Sequence, residues 1–173
     1  ITISDGLNNL TQDIVVSISD IDDVAPDFTS SASFSADENQ TAIGTVTVTD
    51  VDTLDTSSSF TFAVSGNELD IDSDGVLTFT SAPDYETKTS YTATITASDG
   101  ASNSSTQDIT VSINNLNDNS PIFTSGSSFS ADENQSSINT VVSSDADGDD
   151  LTYSISGSEI VIDSSSGVIT FVS

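Results

Sequence analysis

The chain has no cysteine, histidine, methionine or tryptophan, and its one basic side chain is Lys88. Without cysteine there can be neither a disulfide nor a thiolate metal site. Without histidine the commonest general base and the imidazole metal ligand are missing as well. The 28 acidic residues meet one Lys and no Arg, leaving a net charge of -27. A charge of that sign and size repels nucleic acid and anionic membrane surfaces. No run is long and apolar enough to cross a membrane as a helix, and none reads as a signal peptide.

What remains is an ordered β-type composition. Apolar residues make up 34% of the 173 and are spread evenly, which argues against disorder despite the acidity. Val, Ile, Thr and Phe dominate the apolar and β-branched set, and these favour strands.

The chain repeats itself. Ser35-Ala36-Asp37-Glu38-Asn39-Gln40 recurs as Ser130-Ala131-Asp132-Glu133-Asn134-Gln135, and Thr11-Gln12-Asp13-Ile14 as Thr106-Gln107-Asp108-Ile109, both at an offset of 95. Gly75-Val76-Leu77-Thr78-Phe79 recurs as Gly167-Val168-Ile169-Thr170-Phe171 at an offset of 92. A fixed period of this kind marks a tandem array. The expected division is residues 1-20 as the end of one repeat, 21-115 as a complete repeat, and 116-173 as the beginning of a third. A window cut from a longer array fits this pattern, as do end fragments completed by neighbouring copies.

Alternation of period two sets the strands. It runs through Thr45–Thr49, Phe60–Val64, Tyr91–Ala97 and Ile109–Ile113, with a shorter run at Val76–Phe79. No stretch has a helical period. Roughly seven short strands per repeat of about 95 residues predict an all-β fold of tandem immunoglobulin-like seven-strand β-sandwiches in a linear array. Val46, Val48, Phe60, Phe62, Val64, Tyr91, Ile95, Ile109, Val111 and Ile113 are the expected inward face.

The carboxylates are not scattered. In a sandwich, loops at alternate strand ends lie at opposite poles. Asp50, Asp52 and Asp99 follow strands running one way, towards the preceding linker, which adds Asp20, Asp22 and Asp23. Glu38, Asp84 and Glu86 belong at the other pole, near the linker that carries Asn115, Asn117, Asp118 and Asn119. There Asp145 and Asp147 of the next repeat join them. Carboxylates crowded without Lys or Arg repel one another unless a cation intervenes. Carboxylate, amide and carbonyl oxygens together suit Ca2+.

These motifs resemble those of tandem cadherin repeats, of the bacterial or archaeal cadherin-like kind. Asn115-Leu116-Asn117-Asp118-Asn119-Ser120-Pro121 is similar to the family's DxNDNxP linker, and Asp84-Tyr85-Glu86 to its DRE. Asp50-Val51-Asp52 and Asp145-Ala146-Asp147 resemble its DxD. Glu38-Asn39 and Glu133-Asn134 resemble its PEN, and Ala97-Ser98-Asp99 its AxD. The resemblance implies calcium ions clustered between successive domains, making the array rigid. Four residues depart from it: Asn115 stands for the first linker Asp, Val24 for the last linker Asn, and Asp37 and Asp132 for the Pro. The absence of Trp removes the docking residue of animal strand-exchange adhesion.

Two acidic loops begin like calcium loops without completing the pattern. Asp70–Gly75 begins like a calcium loop but has Ser81 where a Glu is needed, which leaves a hairpin turn. Asp145–Asp150 has Asp150 where such a loop requires glycine, so that only Asp145 and Asp147 are taken as ligands. Sequons at Asn9, Asn39, Asn103 and Asn134 are candidate glycosylation sites.

The functional expectation is a calcium-rigidified structural or adhesive stalk of an extracellular, cell-surface protein. Its partners would be the neighbouring repeats of its own chain, and other copies or cell-surface ligands. It would not be an enzyme, would bind no nucleic acid and would insert no part of this segment into a membrane. Two alternatives stand beside it. One is a filament subunit assembled by strand complementation between copies. The other is an accessory carbohydrate-binding module of a secreted protein.

Overall fold

The computed structural model describes residues 1–19, 21–52 and 60–172. Among them are sixteen strands and no helix. In chain order the strands are β1 Thr2–Ser4, β2 Asn9–Thr11, β3 Asp27–Phe28, β4 Ser33–Asp37, β5 Ala42–Thr45, β6 Val48–Thr49, β7 Thr61–Val64, β8 Leu69–Ile71, β9 Val76–Phe79, β10 Ser90–Ser98, β11 Ser104–Asn114, β12 Ile122–Phe123, β13 Ser137–Thr140, β14 Ser143–Ser144, β15 Ile160–Ile162 and β16 Val168–Phe171. The fold is all-β and of the immunoglobulin-like sandwich type, as the alternation predicts.

The chain forms two compact units. The first comprises Ile1–Ala32, Gly44–Thr78 and Ala93–Ile109. Here β7 pairs antiparallel with β10, Val64 facing Ile95 and Phe62 facing Ala97. β3 pairs with β6, and β9 lies beside β8. β1 and β2 make a hairpin of their own. The core side chains are Val46, Leu69, Leu77, Ile95, Ala97 and Ile109, all buried. Each of the large ones stabilises the fold by about 1.5–3 kcal/mol on leaving water.

The second unit comprises Ser33–Ile43, Phe79–Thr92 and Thr110–Ser173. In it β11 runs parallel to β4, with Thr110 opposite Ser33 and Asn114 opposite Asp37. Val111 and Ile113 are buried while Ser112 and Asn114 are exposed, the half-buried alternation expected of such a strand. Phe79 meets Tyr91 edge-on at 5.0 Å, and the Lys88 ammonium lies 4.1 Å over the Tyr91 ring. Further along, β12 pairs with β14, and β16 lies between β13 and β15.

Of the expected inward face, Val46, Ile95, Ile109, Val111 and Ile113 are buried, while Val48, Phe60, Phe62, Val64 and Tyr91 are half-buried. Leu69, Leu77, Phe79 and Ala36 are core residues that alternation did not single out.

The run Thr45–Thr49 is not one strand. β5 ends at Thr45 and β6 begins at Val48, because the chain changes sheets between them. The Val46 amide donates to the Gly75 carbonyl at 2.8 Å, while the Thr47 carbonyl accepts from Thr29 at 2.9 Å. The same switch occurs a repeat later, where the Val141 amide donates to Gly167 at 2.9 Å and the Val142 carbonyl accepts from Thr124 at 2.8 Å. The sequence repeat is therefore also a structural one.

Candidate metal centre

The linker Asn115–Asn119 is held in place by two carboxylates. Glu38 follows β4 and is 2% exposed. Its Oε1 accepts from the Leu116 amide at 2.8 Å and its Oε2 from the Tyr85 amide at 2.7 Å. Asn39, next to it, takes a left-handed φ of 65° that asparagine tolerates, and its amide donates to the Pro83 carbonyl at 3.0 Å. Asp147 accepts the other end of the linker. Its Oδ2 takes the Asp118 amide at 3.1 Å and the Asn119 amide at 2.8 Å. The Asp147 amide in turn donates to Asp145 Oδ1 at 2.9 Å.

Three groups of carboxylates result, each with oxygens within 4.8 Å of one another: Glu38 with Asp84 and Glu86; Glu86 with Asp118 and Asp147; and Asp145 with Asp147 and Asp149. Glu86 and Asp147 link them into one chain of negative charge. The groups that meet this charge are neutral amides. Asn119 Nδ2 donates to Asp118 Oδ1 at 2.8 Å, Asp147 Oδ1 at 2.9 Å and Glu86 Oε2 at 3.1 Å. Asn39 Nδ2 donates to Asp118 Oδ2. Asn115 Nδ2 donates to the Asp147 carbonyl at 2.8 Å.

The electrostatics of the pair differ. The Glu86 carboxyl is pushed above its ordinary value, first by dehydration at the carboxyl and then by the charges of Glu38 and Asp147. Asp147 is held below its ordinary value by the Asn119 side chain, against some dehydration, with help from the Asn119 and Asp118 amides.

The linker at residues 21–26 is built the same way. Asp52 is buried, and its Oδ2 accepts the Asp23 and Val24 amides, both at 3.0 Å. Its own amide donates to Asp50 Oδ1 at 2.9 Å. Asp99 Oδ1 accepts from Ala101 at 2.8 Å and Asn103 at 2.9 Å. Burial opposes ionisation of Asp99, but the Asn103 side chain and the loop amides outweigh it and lower its value. Asn103 Nδ2 reaches Asp22 Oδ1 at 3.2 Å. The second oxygens, Asp50 Oδ2 and Asp99 Oδ2, are buried with no hydrogen-bond partner. A buried carboxylate oxygen without a donor is costly, and a hard cation is the partner that its chemistry fits. Asp20 lies outside the described residues.

Among the expected ligands, Glu38, Asp84, Glu86, Asp118, Asp145 and Asp147 thus have oxygens in these groups, and Asp22, Asp23, Asp50, Asp52 and Asp99 surround the earlier linker. Asn115 and Asn119 present nitrogen rather than the expected oxygen. Asn117 makes no contact of this kind and lines the adjoining cleft. Asp149 was not expected. Its signal is the spacing Asp145, Asp147, Asp149, which puts three carboxylates on alternate residues of one loop. The loops at Asp72 and Asp163 are turns capped by their own aspartates, Asp72 Oδ1 accepting from Val76 and Asp163 Oδ1 from Ser166. Of the sequons, Asn39 and Asn103 have their side-chain nitrogens engaged as described, whereas Asn9 and Asn134 are exposed.

Sheet order and linker geometry define a tandem-repeat domain of the immunoglobulin-like class. Residues 31–114 match the family model for the cadherin domain. Over 123 residues the chain is 37% identical to mouse protocadherin Fat 4, a match covering 62% of this chain and 2% of that protein. Among solved structures, repeats 22–24 of mouse cadherin-23 superpose with a TM-score of 0.70 at 25% identity, covering 88% of this chain and 55% of that one. The human desmocollin-1 ectodomain gives 0.69 at 27%, covering 86% and 34%. A protocadherin gammaB7 cis-dimer structure gives 0.77 at 20%, covering 94% and 47%, a likeness of fold alone. The chain spans a small part of Fat 4 and about half of the cadherin-23 structure.

Proposed function

We propose that this chain is a segment of an extracellular adhesive stalk in which calcium joins successive cadherin repeats. In this reading residues 1-20, 21-115 and 116-173 belong to three successive repeats. At the second linker the ligands are Glu38, Asp84, Glu86, Asp118, Asp145 and Asp147, with Asn115, Asn117 and Asn119 adding neutral oxygens. At the first they are Asp20, Asp22, Asp23, Asp50, Asp52 and Asp99. The observation that carries the reading is the pair of buried, undonated oxygens at Asp50 and Asp99. Bound calcium would supply the positive charge that these oxygens and the Glu86–Asp118–Asp147 group lack. The chain's own residues do the rest. Glu38 and Asp147 fix the second linker backbone, and Asp52 fixes the first, so that the carboxylates face one another before any ion arrives.

The role is structural and non-catalytic. The relatives are animal proteins, and the microbial source expected for this chain rests on the sequence resemblance alone. A ligand that binds the folded state alone raises its melting temperature. Calcium should therefore raise the melting temperature of the chain and EDTA should lower it. Identical melting in both would remove the calcium reading.

A further inference from the structure

Strand β7 lies within the segment that matches the cadherin family model, at the edge of its sheet. It has β10 on one side and, among the described residues, no strand on the other. The pairing tells which of its backbone groups are free. Val64 lies opposite Ile95, and just beyond it the Ser65 amide donates to the Thr94 carbonyl at 2.9 Å. In an antiparallel pair, bonded and non-bonded positions alternate. Thr61 and Ala63 therefore turn their N–H and C=O groups towards β10. Those of Phe62 and Val64 point out of the open edge. The side chains alternate as well. Thr61 and Ala63 are exposed on the outer face, while Phe62 and Val64 are half-buried on the inner one.

Natural proteins blunt such edges with a charge, a proline or a bulge. β7 has none of these. Phe60–Ser65 holds no charged residue, no proline and no glycine, and β7 meets β10 without a register shift. β8, an edge of the neighbouring sheet, differs: Asp70 stands at its centre, and Glu68 and Asp72 flank it. The face beside β7 is uncharged too. Ala93–Ser98 of β10 contains no acidic residue, and its outer face offers Thr94, Thr96 and Ser98. On a chain of net charge -27, this edge lets a second copy approach without setting like charges against each other. It carries nothing that would draw a basic partner instead.

We propose that β7 pairs with β7 of a second copy, antiparallel, about a two-fold axis at Ala63. Phe62 then lies opposite Val64 of the second copy, Thr61 opposite Ser65, and Ala63 opposite Ala63. The free N–H and C=O groups of Phe62 and Val64 meet across the seam, each residue donating to the other and accepting from it. Strand addition satisfies an open backbone edge in this way. The inner faces of both copies lie on one side of the joined sheet, so Phe62 and Val64 cover one another there. A one-residue slip would set the free groups of Phe62 against a residue whose own groups are already bonded to β10, so the pattern fixes the register. The contact is isologous and closed, and assembly stops at two copies. No residue of β7 is a proposed calcium ligand, so the inference stands apart from the calcium reading.

The test uses the whole chain at an ionic strength near ~0.5 M, where the Debye length is only a few ångström and copies of like charge can approach. Sedimentation equilibrium should give a mass that rises with concentration from one chain to two, in calcium and in EDTA alike. Ala63→Asp places two carboxylates opposite each other at the axis, where Cβ atoms stand about 4.5–5.5 Å apart, and like charges so placed are destabilising. It should return the mass to that of one chain. Ala63 is exposed, so the substitution leaves the single copy folded. The chain has no cysteine of its own, which permits a register test. Ala63→Cys, facing its own counterpart, should form a disulfide-linked pair under mild oxidation. Thr61→Cys, facing Ser65, should not. A mass of one chain for the parent at every concentration, an Ala63→Asp variant that pairs as the parent does, or equal cross-linking of the two cysteine variants would overturn the proposal.

Discussion

Asn119 places one amide nitrogen against three carboxylates, those of Glu86, Asp118 and Asp147. A partial positive charge is thus offered to three full negative ones. From the sequence this residue reads as an oxygen donor, because DxNDNxP-like linkers collect oxygens. Without a cation the side chain does better to present its nitrogen, and rotating the amide by half a turn exchanges one for the other. Residue type and place were legible, and the orientation was not, since it depends on the charge around it. Glu86 bears the cost of dehydration at its carboxyl, to which the charges of Glu38 and Asp147 add. Its carboxyl is raised above its ordinary 4.5, so the unfolded chain gives up this proton before the folded one does. Ionised Glu86 therefore destabilises the calcium-free fold at neutral pH, and the penalty vanishes below the unfolded value. In EDTA, Glu86→Gln should raise the melting temperature at pH 7, with a gain that shrinks to nothing as the pH falls to about 4.5. A gain that is constant over this range would show that charge is not its cause.

At the scale of the element, the strand pair β8–β9 is closed by a turn at Gly75 that also pins the sheet switch. Gly75 has φ +78°, and a Cβ there would stand 2.3 Å from the Val46 carbonyl oxygen. Gly167 repeats both features against Val141. Backbone conformation and close approach each forbid a side chain at this point. Gly75→Ala should destabilise the chain by about 2 kcal/mol or more in urea denaturation, since strain of this kind costs 1–3 kcal/mol. Gly66, equally left-handed at φ +84° but with nothing near its Cβ, should tolerate the same change better. A smaller loss at Gly75 than at Gly66 would contradict the packing role. Alternation placed β9, β10 and β11 well, because each keeps to one sheet over its length. It read Thr45–Thr49 as one strand because the pattern persists through the crossing, even though the hydrogen bonds change partners there. The core residue Leu69 lay in a run too short for a period to be read, and Leu77, although in the short run that became β9, was not assigned to the inward face.

The molecule as a whole carries 28 acidic residues and one basic one, and the sequence motifs pick out twelve of the acidic ones at two linkers and the loops expected to face them. The motifs at the linkers pointed to these residues, and around the second linker the carboxylate oxygens of Glu38, Asp84, Glu86, Asp118, Asp145 and Asp147 stand close to one another. The undonated oxygens of Asp50 and Asp99 needed coordinates, since neither burial nor a missing donor can be read from spacing. Calcium titration followed by calorimetry measures the central claim most directly. The chain should give saturable heat with dissociation constants at or below about 10⁻³ M, the weak end for extracellular calcium modules. Asp145→Ala/Asp147→Ala should lose the sites of the second linker and keep those of the first. An absence of saturable heat, or a double variant that binds as the parent chain does, would contradict it.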